Sequence, residues 1–161
     1  MTINLEKEIK EHLQLQPNEQ LLIQDRSSKA PLQISGIQFF ESQHELERDP
    51  VAYNYWILVD EKNLYRGESM LKILKEKKLF PKNKEEALNY AKLIIFARGD
   101  VVHSSKENNV SEPVVNERED YFEVVLSVLE NPKLKNTQLV KYIFKLGKGI
   151  YQMSEEDNSF D

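Results

Sequence analysis

The chain has 161 residues, 40% apolar and 30% charged, with a net charge of −5, the composition of one folded domain with a well-solvated surface. No cysteine is present, which excludes disulfides, a thiol nucleophile and zinc or iron–sulfur sites built on cysteine. No apolar run approaches the roughly 20 residues of a membrane-spanning helix. The polar, acidic first sixteen residues also lack the apolar stretch of a signal peptide, so the expectation is a cytoplasmic protein in a reducing compartment.

Residues 2–15 read as an amphipathic helix. Ile3, Leu5, Ile9, Leu13 and Leu15 fall near helical spacing, with Thr2 or Asn4 as its cap. Pro17 ends it, because the residue before a proline is pushed out of the α region. The short apolar run EQLLIQD opens a strand zone, followed by the loop RSSKAP and then LQISGIQFF. Gly36 interrupts the alternation of that last run and predicts a bulge or bend. ESQHELERDP reads as a polar loop or one helical turn. VAYNYWILVD is the clearest strand: Tyr53, Tyr55, Ile57 and Val59 point one way and Ala52, Trp56 and Leu58 the other. DEKN is then a turn, and LYRG a returning strand.

After Gly67 the period changes to 3.6. ESMLKILKEKKLF places Met70, Leu71 and Leu74 on one helical face, and Pro81 ends it. NKEEALNYAKLIIFARG follows with Asn83 as N-cap and Glu86 three residues on. Ala87, Leu88, Ala91, Ile94 and Ile95 make a wide apolar stripe, so this helix should be largely buried. The next stretch has no helical period; it reads as a loop, or as two short strands at Val101 and Val102 and at Val114 and Val115. NEREDYFEVVLSVLENP repeats the capping spacing with Asn116 and Glu119, and puts Tyr121, Val124, Val125, Val128 and Leu129 on one helical face. NTQLVKYIFKLGKG reads as a further helix ending at Gly147. Helix, then strands, then helices predicts an α+β fold: an N-terminal helix, an antiparallel sheet of about four strands, and three to four C-terminal helices. Residues 1–150 form the expected single domain, and 151–161 an acidic, mobile tail.

Charge is segregated along the chain. Residues 1–60 carry 5 basic and 10 acidic side chains, residues 61–98 carry 10 and 5, and residues 99–161 carry 7 and 12. The basic middle contains Lys72, Lys75, Lys77, Lys78, Lys82 and Lys84, near Tyr65, Arg66 and Phe80. Lysines beside aromatics can hold a nucleic-acid backbone and stack a base. Arginine is scarce, however, and the pI of 5.4 is far from a basic footprint.

The tripeptide RGD at 98–100 is the sequence of an adhesion ligand, but helix termination accounts for it. Arg98 falls in the last turn, where a cation complements the dipole, and Gly99 falls where a left-handed residue closes a helix. Asp100, His103 and Ser104 do not form a triad pattern, since triad members seldom neighbour one another in sequence. The enzymatic alternative is a hydrolase using His103 or His44 with Asp100 or Glu45. His12, His44 and His103 lie apart, and HELE at 44–47 lacks the second histidine of a zinc helix, so no metal site is expected. No phosphate-binding glycine motif appears among five glycines, and no cofactor is expected. These exclusions leave a non-enzymatic protein-interaction domain of inhibitor, immunity or adaptor type, its face expected at Tyr53, Tyr55, Trp56 and Tyr65. The expected partner is another protein. The alternative is nucleic acid bound by the lysines of 72–84, and no membrane partner is expected.

Overall fold

The structure, a computed structural model, describes residues 3–46, 51–102, 112–130, 132 and 138–156. Helix α1 (Leu5–Leu13) starts where Asn4 caps it, the Asn4 side chain accepting from the Lys7 amide at 3.2 Å. Four strands follow: β1 (Leu22–Asp25), β2 (Ile37–His44), β3 (Ala52–Val59) and β4 (Asn63–Arg66). They pair as an antiparallel meander in chain order. Gly36 supplies the expected bend ahead of β2, at φ 81°.

Period-two alternation gives this sheet two different faces. Phe40 lies opposite Trp56, and with Leu58 and Ile9 they form a small core under α1. Trp56 is fully buried there, and its indole N–H donates to Ser42 Oγ at 2.8 Å. The other face carries Ile37, Phe39, Ile57 and Val59, which join the main core.

Two helices cover that face: α2 (Met70–Glu76) and α3 (Lys84–Ala97). Asn83 caps α3 as its spacing predicts, accepting from the Glu86 amide at 2.9 Å. Leu93, Ile94 and Ile95 are consecutive and all buried, which requires apolar neighbours on more than one side of a helix. The first sheet supplies one side and a second sheet the other. The second sheet consists of β5 (Val101–Val102), β6 (Val114–Glu117), β7 (Phe122–Glu130), β8 (Gln138–Gly147) and β9 (Ile150–Glu155). Its order is β5-β7-β8-β9, with β6 pairing on β7 as well, and every pairing is antiparallel. The layers run α1, first sheet, α2 with α3, second sheet.

This corrects the expected run of C-terminal helices. The chain is α+β with two antiparallel sheets of four and five strands and three α-helices among the described residues. The stretch with the Asn116 and Glu119 spacing is a hairpin: Asn116 lies in β6, and the Arg118 amide donates to the Tyr121 carbonyl at 2.8 Å across the turn. Phe122, Val124, Leu126 and Val128 alternate inward along β7. Val140, Tyr142, Phe144 and Leu146 do the same along β8, and Lys141 and Lys145 project from its other face. Gly147 does not end a helix; it pairs with Ile150 around the two-residue loop of Lys148 and Gly149. Residues 150–155, mostly within the expected tail, pair as the edge strand β9. Residues 41–44 of ESQHELERDP also differ from the reading as a loop or helical turn, since β2 continues through His44, and residues 47–50 lie outside the described residues.

Candidate functional site

A cleft of about 800 Å³ lies between the two sheets, at the C-terminal end of α3. Its floor begins with one cross-strand row of the first sheet: Gln24, Glu41 and Tyr55, from β1, β2 and β3. Parity places this row on the same face as Phe39 and Ile57, so the core face of the sheet turns polar towards one end. Glu41 is only 4% exposed, and its Oε1 accepts from the Gln43 side-chain Nε2 at 3.1 Å.

Arg26 follows β1 directly. Its position is fixed by the loop on either side: the Arg26 amide donates to the Phe39 carbonyl at 2.7 Å, the Ser27 amide to Asp25 Oδ1 at 2.8 Å, and the Phe39 amide to Ser27 Oγ at 2.9 Å. The guanidinium then stacks on two rings, 4.0 Å from the Phe96 centroid and 4.8 Å from that of Tyr55. Its Nη2 donates to the Phe96 carbonyl at 3.1 Å. Its Nη1 is buried and has no hydrogen-bond partner among the described residues. Burial pulls the Arg26 pKa down, while Tyr55 and Glu41 push it up. Arginine remains charged under such shifts.

The opposite wall is the end of α3. The Gly99 amide donates to the Phe96 carbonyl at 3.0 Å and the Asp100 amide to the Ile95 carbonyl at 3.2 Å, the paired bonds of a Schellman closure. Gly99 takes the left-handed conformation this requires, at φ 81°. It also lies against the Tyr55 ring so closely that a Cβ would sit 2.1 Å from Tyr55 Cε2. Burial first, and then the charge of Glu41, push the Tyr55 pKa up to about 12; Asp100 and Tyr53 add to this and Arg26 opposes it. Tyr55 is therefore a neutral phenol at physiological pH.

Asp100, 9% exposed, connects this cluster to the second sheet. It pairs with Arg98 Nε at 3.5 Å, and Arg98 Nη2 lies 3.7 Å from Glu130 on β7. Arg98 also stands 5.3 Å from the Tyr142 ring centroid. The Tyr142 hydroxyl donates to Glu130, and burial, followed by that bond, raises the Tyr142 pKa to about 12. One layer of charged and phenolic groups thus runs from Arg26 to Tyr142, and it holds the two sheets in register with the end of α3.

The residues singled out from sequence do not share one site. Tyr55 lines the cleft, while Trp56 is buried on the opposite face of β3. Tyr53 is half-buried on the Tyr55 face, opposite Gln43. Tyr65 is half-buried against the main core. Asp100 lines the large cleft, whereas His44 and Glu45 line a separate recess of about 370 Å³ with Glu19. His103 lies outside the described residues. Among the described residues no group of three metal-ligating side chains converges. Among them, too, no helix is long and apolar enough to cross a membrane.

The six lysines run from α2 to the start of α3. Lys72, Lys75, Lys78, Lys82 and Lys84 are exposed; Lys77 is half-buried and pairs with Asp60 at 3.5 Å. Sequence reasoning missed Arg26, Glu41, Lys29 and Lys92 as cleft residues. Glu41 had a readable signal: it shares parity with Phe39, so a charge occupies a core-facing position of the strand.

Compared with known proteins, the chain matches no family model, no curated protein and no solved structure.

Proposed function

We propose that the protein is a non-enzymatic binding domain of a reducing, cytoplasmic setting, and that the cleft at the end of α3 is its working surface. The observation that carries this is the organisation of the cleft floor. Arg26, Glu41, Tyr55 and Asp100 come from four separate segments and converge on one concavity whose remaining wall is largely apolar. Convergent, firmly held polar groups in an apolar cleft of this volume are what a ligand site needs. The engagements within the layer keep it in place: Arg26 is stacked, Asp100 is ion-paired and Gly99 is locked against Tyr55. This layer supports binding to a shaped floor better than a surface formed by Tyr53, Tyr55, Trp56 and Tyr65. Those four are divided between the two faces of one sheet.

The test is a fragment screen by two-dimensional amide NMR on the wild type and on Gln24→Trp. Gln24 is exposed in the floor row, and tryptophan suits a strand, so the variant fills the cleft from its floor without disturbing the core. Hits should move amides of Gln24, Tyr55, Phe96 and Val102, and Gln24→Trp should abolish them. Hits that scatter over the surface, or that survive Gln24→Trp unchanged, would refute the assignment.

A further inference from the structure

We infer that the ligand of this cleft is an amphipathic organic anion: a small molecule with a carboxylate or phosphate head on an apolar body. The inference rests on the cleft being the binding site and adds the chemistry of what enters. Among the described residues six charged side chains line it: Arg26, Lys29, Glu41, Lys92, Asp100 and Glu112. The two deep acids are committed within the protein. Asp100 pairs with Arg98 at 3.5 Å, and Glu41 accepts from Gln43 while it lies in the field of Arg26. At the mouth the balance is different. Lys29, at the end of the short helical turn Ser27–Lys29, and Lys92, on α3, have no ion-pair partner among the described residues. Two lysines therefore face the cleft against one exposed acid, Glu112. Behind them Arg26 Nη1 is a buried donor without a hydrogen-bond partner among the described residues, which leaves one hydrogen bond unmade in the wall.

The surface beside the lysines is apolar. Leu88 and Lys92 fall four residues apart on α3, so one helical face presents a cation one turn from an aliphatic side chain, above the buried Ile95. Val102, Pro31 and Pro113 extend the apolar wall. An anion with a short hydrocarbon or aryl body satisfies both features: its head meets Lys29 and Lys92 and its body covers Leu88, Val102 and Pro113. A purely polar anion leaves the wall wet, and a cation meets the lysines.

The experiment titrates octanoate, octyl phosphate and octylammonium into the full chain, followed by amide shifts. It uses the wild type, the doubly neutralised Lys29→Gln, Lys92→Gln variant, and Gln24→Trp. One or both anions should bind at the cleft amides, weaken with added salt, and lose roughly tenfold in affinity or more in the neutralised variant, a factor equal to ~1.4 kcal/mol. Binding by octyl phosphate alone, or octanoate alone, identifies the head. If octylammonium binds as tightly as octanoate and Gln24→Trp blocks both, the anion assignment falls and the cleft remains the binding site. Octanoate shifts remote from the cleft and indifferent to Gln24→Trp would remove the cleft reading itself. No binding of either anion at millimolar concentration overturns the inference.

Discussion

Replacing Gly99 with alanine tests the packing that shapes the cleft. Two costs follow from the structure. Gly99 sits at φ 81°, and an L-residue with a Cβ pays about 1–2 kcal/mol in the left-handed region. The new Cβ also meets Tyr55 Cε2 at 2.1 Å, far inside the ~3.5–4.0 Å of an ordinary carbon contact. The ring must move, yet Arg26 stacks on it, and Arg26 is itself fixed by Phe96. Overpacking of this kind costs about 1–3 kcal/mol. The total is about 2–5 kcal/mol, which lowers the Tm by roughly 4–20 °C in a chain of this size. Urea denaturation of the wild type, Gly99→Ala, Tyr55→Val and the double variant separates the two costs. Valine keeps the strand and stops short of the clash, so in the Tyr55→Val background Gly99→Ala should cost only the backbone portion, about 1–2 kcal/mol. An equal cost of Gly99→Ala in both backgrounds would show that the Tyr55 contact contributes nothing.

Two other consequences are open to measurement. Ser42→Ala removes the acceptor of the buried Trp56 indole; it should destabilise by about 1–3 kcal/mol and shift the emission of the chain's single tryptophan, both readable in a fluorescence-monitored urea titration. Tyr55 and Tyr142 titrate at about 12 in the folded chain against about 10 when unfolded. The folded state therefore holds these protons longer, and their contribution to stability is complete below pH ~10 and declines as the pH rises from ~10 to ~12. Denaturation midpoints across that range should fall, and fall less steeply in the Tyr55→Phe, Tyr142→Phe variant; identical slopes would contradict the raised values.

The first half of the fold was legible because local signals there agreed with one another. Asn83 and Glu86 set the start of α3, Gly99 set its end, and β3 carries a strict two-residue alternation of Tyr, Ile and Val. The second half was ambiguous in a specific way. Val124, Val125, Val128 and Leu129 satisfy helical spacing, but Phe122, Val124, Leu126 and Val128 satisfy strand spacing equally well. The residue types decide between them: a run rich in valine, isoleucine and aromatics fits a pleated surface better than a helix. In β8 the lysines at 141 and 145 alternate with Val140, Tyr142, Phe144 and Leu146, and the Gly147, Lys148, Gly149 sequence is a hairpin signal. The capping spacing of Asn116 and Glu119 competed with both and misdirected the assignment, because asparagine and acidic residues at that spacing suit a turn as well as a helix start.

The site was less legible than the fold, since its residues meet only through tertiary structure. Nothing local relates Arg26 to Phe96, which lies 70 residues away. The tripeptide at 98–100 illustrates the point in reverse. Helix termination explains Arg98 and Gly99 locally, yet it leaves out what each residue does afterwards. Arg98 reaches towards Glu130 and Tyr142 on the second sheet, Gly99 admits the Tyr55 ring of the first, and Asp100 turns back beside the cleft and pairs with Arg98. A helix end is well suited to this task, because three consecutive residues leave it in three directions. The same burial removes the adhesion reading. Gly99 and Asp100 are buried, so the tripeptide is not displayed as a loop that another protein could grip.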